Sequence, residues 1–225
     1  MNLKKTPFLL SLLAILISFN SCASPETREK EEVISENLTQ ELDLNKFEMA
    51  YFASGCFWCV EAIFESVNGV EEAISGYAGG NEENPSYQNV SAGATGHAEA
   101  VEVYYDPEII DYKTLVKVYY GSHNPITVNG QAPDFGRQYR SMILFQNEME
   151  ETIAKSYKDS LDKSGTYKEP IATEIVALEK FWKAEDYHQD YEKNNPNQAY
   201  VRSVSIPRLN RFKEKFPELL KEESH

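Results

Sequence analysis

The stretch Glu48-Met49-Ala50-Tyr51-Phe52-Ala53-Ser54-Gly55-Cys56-Phe57-Trp58-Cys59 changes character twice within twelve residues. Residues 48–53 read as a strand, Ser54-Gly55 as a turn, and from Cys56 to Val67 the apolar residues Phe57, Val60, Ile63, Phe64 and Val67 recur at helical spacing. A thiol is thereby placed at the start of a helix that follows a strand. Working outward, the pattern predicts a second strand over 69–77 that ends at Gly79-Gly80. A long loop rich in Gly, Asn, Pro and Ser follows over 81–96, then an alternating strand over 98–105 and a short amphipathic helix over 112–120. A further loop covers 130–137. It is followed by a strand over 141–145, a helix over 148–163, a strand over 172–177, a short helix over 185–193, and a polar helical end from Arg208. Strand, helix, strand, strand, helix, strand is the order of an α+β fold with a ferredoxin-like split βαβ core, a mixed or antiparallel sheet with helices and long functional loops. No internal repeat is present.

The 225 residues are 41% hydrophobic and 26% charged, a globular profile of a length that suits one domain once both ends are set aside. The formal net charge of -14 repels phosphate backbones, so nucleic acid is not an expected partner. At the N-terminus, Lys4-Lys5, the apolar run 8–19 and Asn20-Ser21-Cys22 follow the basic, apolar and small-residue order of an export signal. That run is short for a membrane span. Its ending resembles a bacterial lipoprotein signal with Phe19 where Leu is usual, which implies a signal peptide over 1–21 and a lipid anchor at Cys22. Residues 22–45, charged and poor in large apolar side chains, are expected to be a flexible tether, leaving 46–225 as the catalytic domain. The expected location is the cell envelope, exported and lipid-anchored, facing the periplasm. A monomer is expected for one small domain on a tether.

With Cys22 as anchor, Cys56 and Cys59 form the remaining pair, one helical turn apart. A helix start lowers a thiol pKa through free N–H groups and the helix dipole, so Cys56 is expected to ionise readily. By spacing alone several readings stay open. The pair could be buried and structural, or a disulfide in a binding module whose aromatics form a ligand surface. It could be a zinc half-site, were His97, His123 and His188 to converge, although a structural site needs four ligands and no second CxxC exists. It could also be the CxxC of a thioredoxin-like oxidoreductase, which follows a strand and opens a helix.

Gly55-Cys56-Phe57-Trp58 followed by Glu61 resembles the nucleophile motif of the A-type peptide methionine sulfoxide reductases. The resemblance continues through Gly76-Tyr77-Ala78-Gly79-Gly80, Pro85-Ser86-Tyr87, Gly96-His97-Ala98-Glu99-Ala100, His123-Asn124-Pro125, Asp134-Phe135-Gly136-Arg137-Gln138-Tyr139-Arg140-Ser141 and Ala184-Glu185-Asp186-Tyr187-His188-Gln189. These motifs run in the family's order over residues 48–200.

The resemblance implies reduction of the S epimer of methionine sulfoxide, free or in oxidised proteins. Cys56 would attack the sulfoxide sulfur and Glu99 would protonate its oxygen. The chemistry fits, because a protonated oxygen leaves more easily and a carboxyl in an apolar pocket can keep its proton. Without its flanking motif, Glu99 could as well be a surface residue on an alternating strand. By the same match, Tyr87 and Tyr139 would hydrogen-bond the sulfoxide oxygen, Asp134 would hold solvent or polar substrate groups, and Phe57 and Trp58 would wall the methyl group. Lone tyrosines more often pack, and an Asp before Gly136 can serve a turn. His97 and His188 are expected to hold loops, and no metal or cofactor is expected.

This chain departs from many relatives in carrying Cys at 59, where Gly is common, and no Cys afterwards. The resolving role then falls to Cys59: it attacks the sulfenic acid on Cys56, water leaves, and the disulfide is reduced by an external dithiol, implying a thioredoxin-like partner.

Overall fold

A computed structural model describes residues 46–222. The signal-peptide, lipid-anchor and tether expectations for residues 1–45, Cys22 included, lie outside the described residues, as do residues 223–225.

The opening strand is β1 (Glu48–Ser54), and α1 (Phe57–Glu65) follows directly. Then come β2 (Val70–Ala78), α2 (Tyr87–Ser91), β3 (Ala98–Tyr105), α3 (Tyr112–Gly121), β4 (Gly130–Gln131), β5 (Asp134–Phe135), β6 (Ser141–Phe145), α4 (Glu148–Lys163), β7 (Glu174–Ala177), β8 (Phe181–Lys183), α5 (Tyr191–Asn194) and α6 (Ile206–Lys215). The large sheet has the order β7-β6-β1-β3-β2-β8. Only β6 and β7 pair in parallel; the other pairs are antiparallel. The α+β split βαβ core is therefore present: α1 carries the chain from β1 to β2 with β3 between them, and α3 lies on the path from β3 to β6 with β1 between them.

The helix that carries the thiols packs by the face its periodicity predicts. In α1 the buried residues include Phe57, Val60, Ile63 and Phe64, which meet the sheet where Phe52 stacks on Phe64 at 4.9 Å and on Tyr119 of α3 at 5.3 Å. The side chain of Asp111 accepts the Thr114 N–H to cap α3, and Asn147 caps α4 through Glu150 N–H. No helix among the described residues is long and apolar enough to cross a membrane.

The departures from expectation lie in the loops and at the sheet edge. The 81–96 loop contains α2, and the 130–137 loop contains the two-stranded β4–β5 ribbon with a cis Ala132–Pro133 bond. The expected strand over 172–177 shortens to β7, and β8 is an unforeseen edge strand of three residues. Residues 185–193 are not one helix. A single 3-10 turn, Asp186–His188, is separated from α5 by Asp190, whose φ of 52° interrupts helical backbone. The C-terminal segment is helical as α6, but it is not simply polar: Arg208 and Phe212 are buried.

Candidate active site

Gly55 and Cys56 turn the chain from β1 into α1. Gly55 has φ +84°, a left-handed conformation that favours glycine, and a Cβ there would lie 2.8 Å from Gln131 Cβ. Cys56 occupies the N-cap position of α1, as its place in the sequence suggested. The free N–H of the first helical residue is already taken: Phe57 N–H donates to Glu99 Oε2 at 3.1 Å. Glu99 comes from β3, opposite Tyr77 of β2, and its side chain points to the helix start with 2% exposure. One backbone hydrogen bond thus brings together residues 42 positions apart.

Cys56, Phe57, Trp58, Tyr87, Glu99, Asp134 and Tyr139 line one cavity of about 220 Å³. The structure adds Gln198 and Tyr200 to its wall. Tyr200 donates its hydroxyl hydrogen bond to Asp134 Oδ2 at 2.5 Å, and its oxygen lies 3.9 Å from Cys59 Sγ. Cys59, 1% exposed, instead lines a larger cavity of about 600 Å³ that shares Asp134 and Tyr200 with the first.

The aromatic wall is braced from behind. Trp58 stacks on Tyr191 at 3.7 Å and donates Nε1–H to His188 Nδ1 at 3.2 Å. Burial lowers the His188 pKa, which favours the neutral ring needed to accept that bond. Phe57 packs on His188 at 4.9 Å and faces Tyr87 at 6.3 Å. Glu185 fixes the start of α2 by accepting both Tyr87 N–H at 3.0 Å and the Tyr77 hydroxyl at 2.8 Å. His97 holds the loop between β2 and β3 through Glu82 O at 2.8 Å and Gly80 N at 3.3 Å. His123 binds Tyr119 O at 2.7 Å. The three histidines thus have separate structural partners, and among the described residues no group of three or more His, Cys, Asp or Glu could hold a metal.

Burial pushes the Glu99 carboxyl up to about 8, with Asp134 adding to the rise and the Phe57 hydrogen bond opposing it. At neutral pH this group holds a proton. Burial also raises Tyr87, to about 12, and Tyr139, so both phenols remain donors.

The two thiols reverse the expected assignment. Burial and the Cys59 sulfur beside it push Cys56 up, whereas a hydrogen bond from Cys56 and the Arg208 guanidinium pull Cys59 down. The helix start does not make Cys56 the more acidic thiol, because burial of its sulfur outweighs it.

Sequence reasoning missed Tyr200, Gln198, Ser205 and Arg208 around the dithiol. The first two lie in the Asn/Pro-rich segment before Val201, and the last two beyond the quoted motifs. The only signal was an Arg at helical spacing from Phe212, i and i+4 on a predicted helical end.

A buried vicinal thiol pair, a protonated carboxyl and two phenolic donors around one small cavity define a thiol-dependent oxidoreductase that acts on a small polar group. The family model "Peptide methionine sulfoxide reductase" matches residues 48–220, and the chain belongs to that family. Over 169 residues it is 46% identical to the peptide methionine sulfoxide reductase MsrA of Natronomonas pharaonis, covering 75% of this chain and 95% of the relative. Among solved structures it is similar to methionine sulfoxide reductase A of Corynebacterium diphtheriae, with TM-score 0.61 and 33% identity over 68% of this chain and 77% of that one. It is also similar to Mxr1 from Saccharomyces cerevisiae in reduced form, with TM-score 0.63 and 33% identity over 69% of this chain and 90% of that one.

Proposed function

We propose that this chain reduces the S epimer of methionine sulfoxide, in proteins and as the free amino acid, with Cys56 as nucleophile and Glu99 as acid. The observation that carries the reading is the placement of a proton-holding carboxyl in the same 220 Å³ cavity as the Cys56 sulfur, beside two phenols. A thiol-disulfide exchange enzyme needs no such acid. Cys56 reacts as its thiolate. The sulfur attacks the sulfoxide sulfur to form an S–S bond as Glu99 protonates the oxygen; the S–O bond then breaks as the hydroxyl moves onto the Cys56 sulfur, and the S–S bond breaks with its electron pair going to the departing thioether, leaving the sulfenic acid. Tyr87 and Tyr139 donate to the oxygen as charge develops on it. Phe57 and Trp58 hold the methyl group, and Asp134, through Tyr200, orders the polar side of the substrate.

Cys59 then resolves the sulfenic acid, and an external thioredoxin-like dithiol reduces the disulfide. In support, Cys59 lies one turn from Cys56 and no cysteine follows it. The N-terminal pattern supports export by a signal peptide over 1–21, a lipid on Cys22, a tether over 22–45 and a periplasm-facing, monomeric catalytic domain over 46–225.

The test supplies the purified protein with racemic methionine sulfoxide peptide and dithiothreitol, comparing wild type with Cys56→Ser, Cys59→Ser and Glu99→Gln. The expected outcome is no turnover in Cys56→Ser, and in Cys59→Ser one equivalent of product without reductant and no cycling when a thioredoxin system replaces dithiothreitol. Full activity in Cys56→Ser would falsify the assignment.

A further inference from the structure

Arg208 lies on α6, far in sequence from the motifs around the thiols, yet it is 9% exposed and lines the 600 Å³ cavity together with Cys59. Its guanidinium donates only to neutral groups: Nε to Ser122 O at 2.9 Å and one Nη to Ser54 Oγ at 3.2 Å. The other Nη packs over Gly55, 3.5 Å from where a Cβ would stand. Among the described residues no carboxylate comes within ion-pair distance of it, and Asp134, the acid on the same cavity wall, is bonded to the Tyr200 hydroxyl. A cation taken out of water without an anion is costly, so such a site favours whichever neighbour can become negative.

We infer that Arg208 is a positioning residue for the resolving step, holding Cys59 as the thiolate that closes the disulfide on Cys56. The inference rests on the sulfoxide-reductase reading and deepens it. The groups facing Cys59 are Cys56 at the start of α1, Tyr200 and Ser205 before α6, Arg208 on α6, Glu99 from β3 and Asp134 from β5, and its cavity is also lined by His123 after α3 and by Arg211 and Lys215 on α6. Arg208 is the only buried cation among these, and the Tyr200 and Ser205 hydroxyls direct their protons to Asp134 and Glu192. In the resolving step the Cys59 thiolate attacks the Cys56 sulfenic sulfur, the S–S bond forms, the S–O bond breaks, and hydroxide takes up a proton and leaves as water. Cys59 is oxidised and the sulfenic sulfur reduced. In recycling the same charge favours the outcome in which a reductant thiolate attacks Cys56 and the S–S electron pair moves onto Cys59.

The test uses the full-length protein and compares wild type, Cys59→Ser, Arg208→Gln and Arg208→Lys. Thiolate absorbance is followed against pH, with stopped-flow measurement of product formation and of disulfide closure. An ordinary thiol with pKa about 8.5 is only ~3% ionised at pH 7. Its greater intrinsic nucleophilicity recovers part of the loss, so Arg208→Gln is expected to slow closure by at least about fivefold at pH 7, with recovery toward wild type as pH rises. The first equivalent of methionine is expected to form at the wild-type rate, and Arg208→Lys to restore most of the closure. The low-pH thiolate transition should be present in wild type and Arg208→Lys and missing from Cys59→Ser. That comparison holds even if Arg208→Gln does not fold. Wild-type titration without a Cys59 thiolate at pH 7, or unchanged closure in folded Arg208→Gln, overturns the inference. Absence of methionine from wild type would instead overturn the sulfoxide reading, while the titration still reports on Arg208.

Discussion

Glu99 carries opposing demands on its protonation. Its folded pKa of about 8 stands above the ordinary 4.5, so between those values the folded protein holds a proton that the unfolded chain has lost. Stability contributed by the neutral carboxyl is fully present below about 4.5 and is lost as pH rises toward 8. Glu99→Gln, which keeps an acceptor for Phe57 N–H, should therefore raise thermal stability relative to wild type most at pH 9, by up to a few kcal/mol at about 1.4 kcal/mol per pKa unit. The same variant should lose turnover by roughly 10²- to 10⁴-fold, the range for removal of a general acid. Wild-type activity should fall as pH passes 8, where the proton is lost. Calorimetry and a pH–rate profile check both; a Glu99→Gln variant that is less stable than wild type at pH 9 would show that the carboxyl is not strained by burial. Gly55 makes a second residue-scale case. Gly55→Ala should cost about 1–3 kcal/mol from positive φ alone, with activity falling further as the new methyl pushes Gln131 and the start of α1, measured by denaturant titration beside kcat.

At the scale of elements, α1 works as a rigid mount. Its buried face, pinned by the Phe52–Phe64 stack, sets where Cys56, Phe57 and Trp58 stand relative to β3. Phe64→Ala should cost about 3–5 kcal/mol in equilibrium unfolding, and should lower kcat at temperatures where the variant remains folded, because the cavity lets the helix tilt. Unchanged kcat would mean that the thiol is held by its own turn alone. These regular elements were legible in the sequence because periodicity reports which face is buried: β1, α1, β3, α3, β6 and α4 lie where the spacing of apolar residues puts them. The short pieces were not. β8 owes its strand character to pairing with β2, and the interruption at Asp190 coincides with a hydrogen bond from its N–H to buried Glu61 Oε1 at 2.5 Å. Neither cause is local in the chain.

For the whole molecule, every residue lining the Cys56 cavity falls between 56 and 200, and the sheet closes within 48–183. Removing residues 1–45 should leave the melting temperature and kcat/KM toward free methionine sulfoxide within about twofold of the full chain, since loss of one cavity-wall contact would cost far more. Cys22→Ser should move the protein from the membrane fraction to the soluble envelope fraction without changing those constants, as followed by fractionation and mass spectrometry of the mature N-terminus. What the amino-acid order by itself determined is the split βαβ frame and the strand–turn–helix that carries Cys56, because periodicity and local motifs are short-range properties. Only the tertiary structure decided how the surroundings of the two thiols differ. That depends on the depth of burial of Cys56 and on the cavity that Arg208 shares with Cys59. Burial and charge act through space, over distances that folding sets and residue spacing does not reveal.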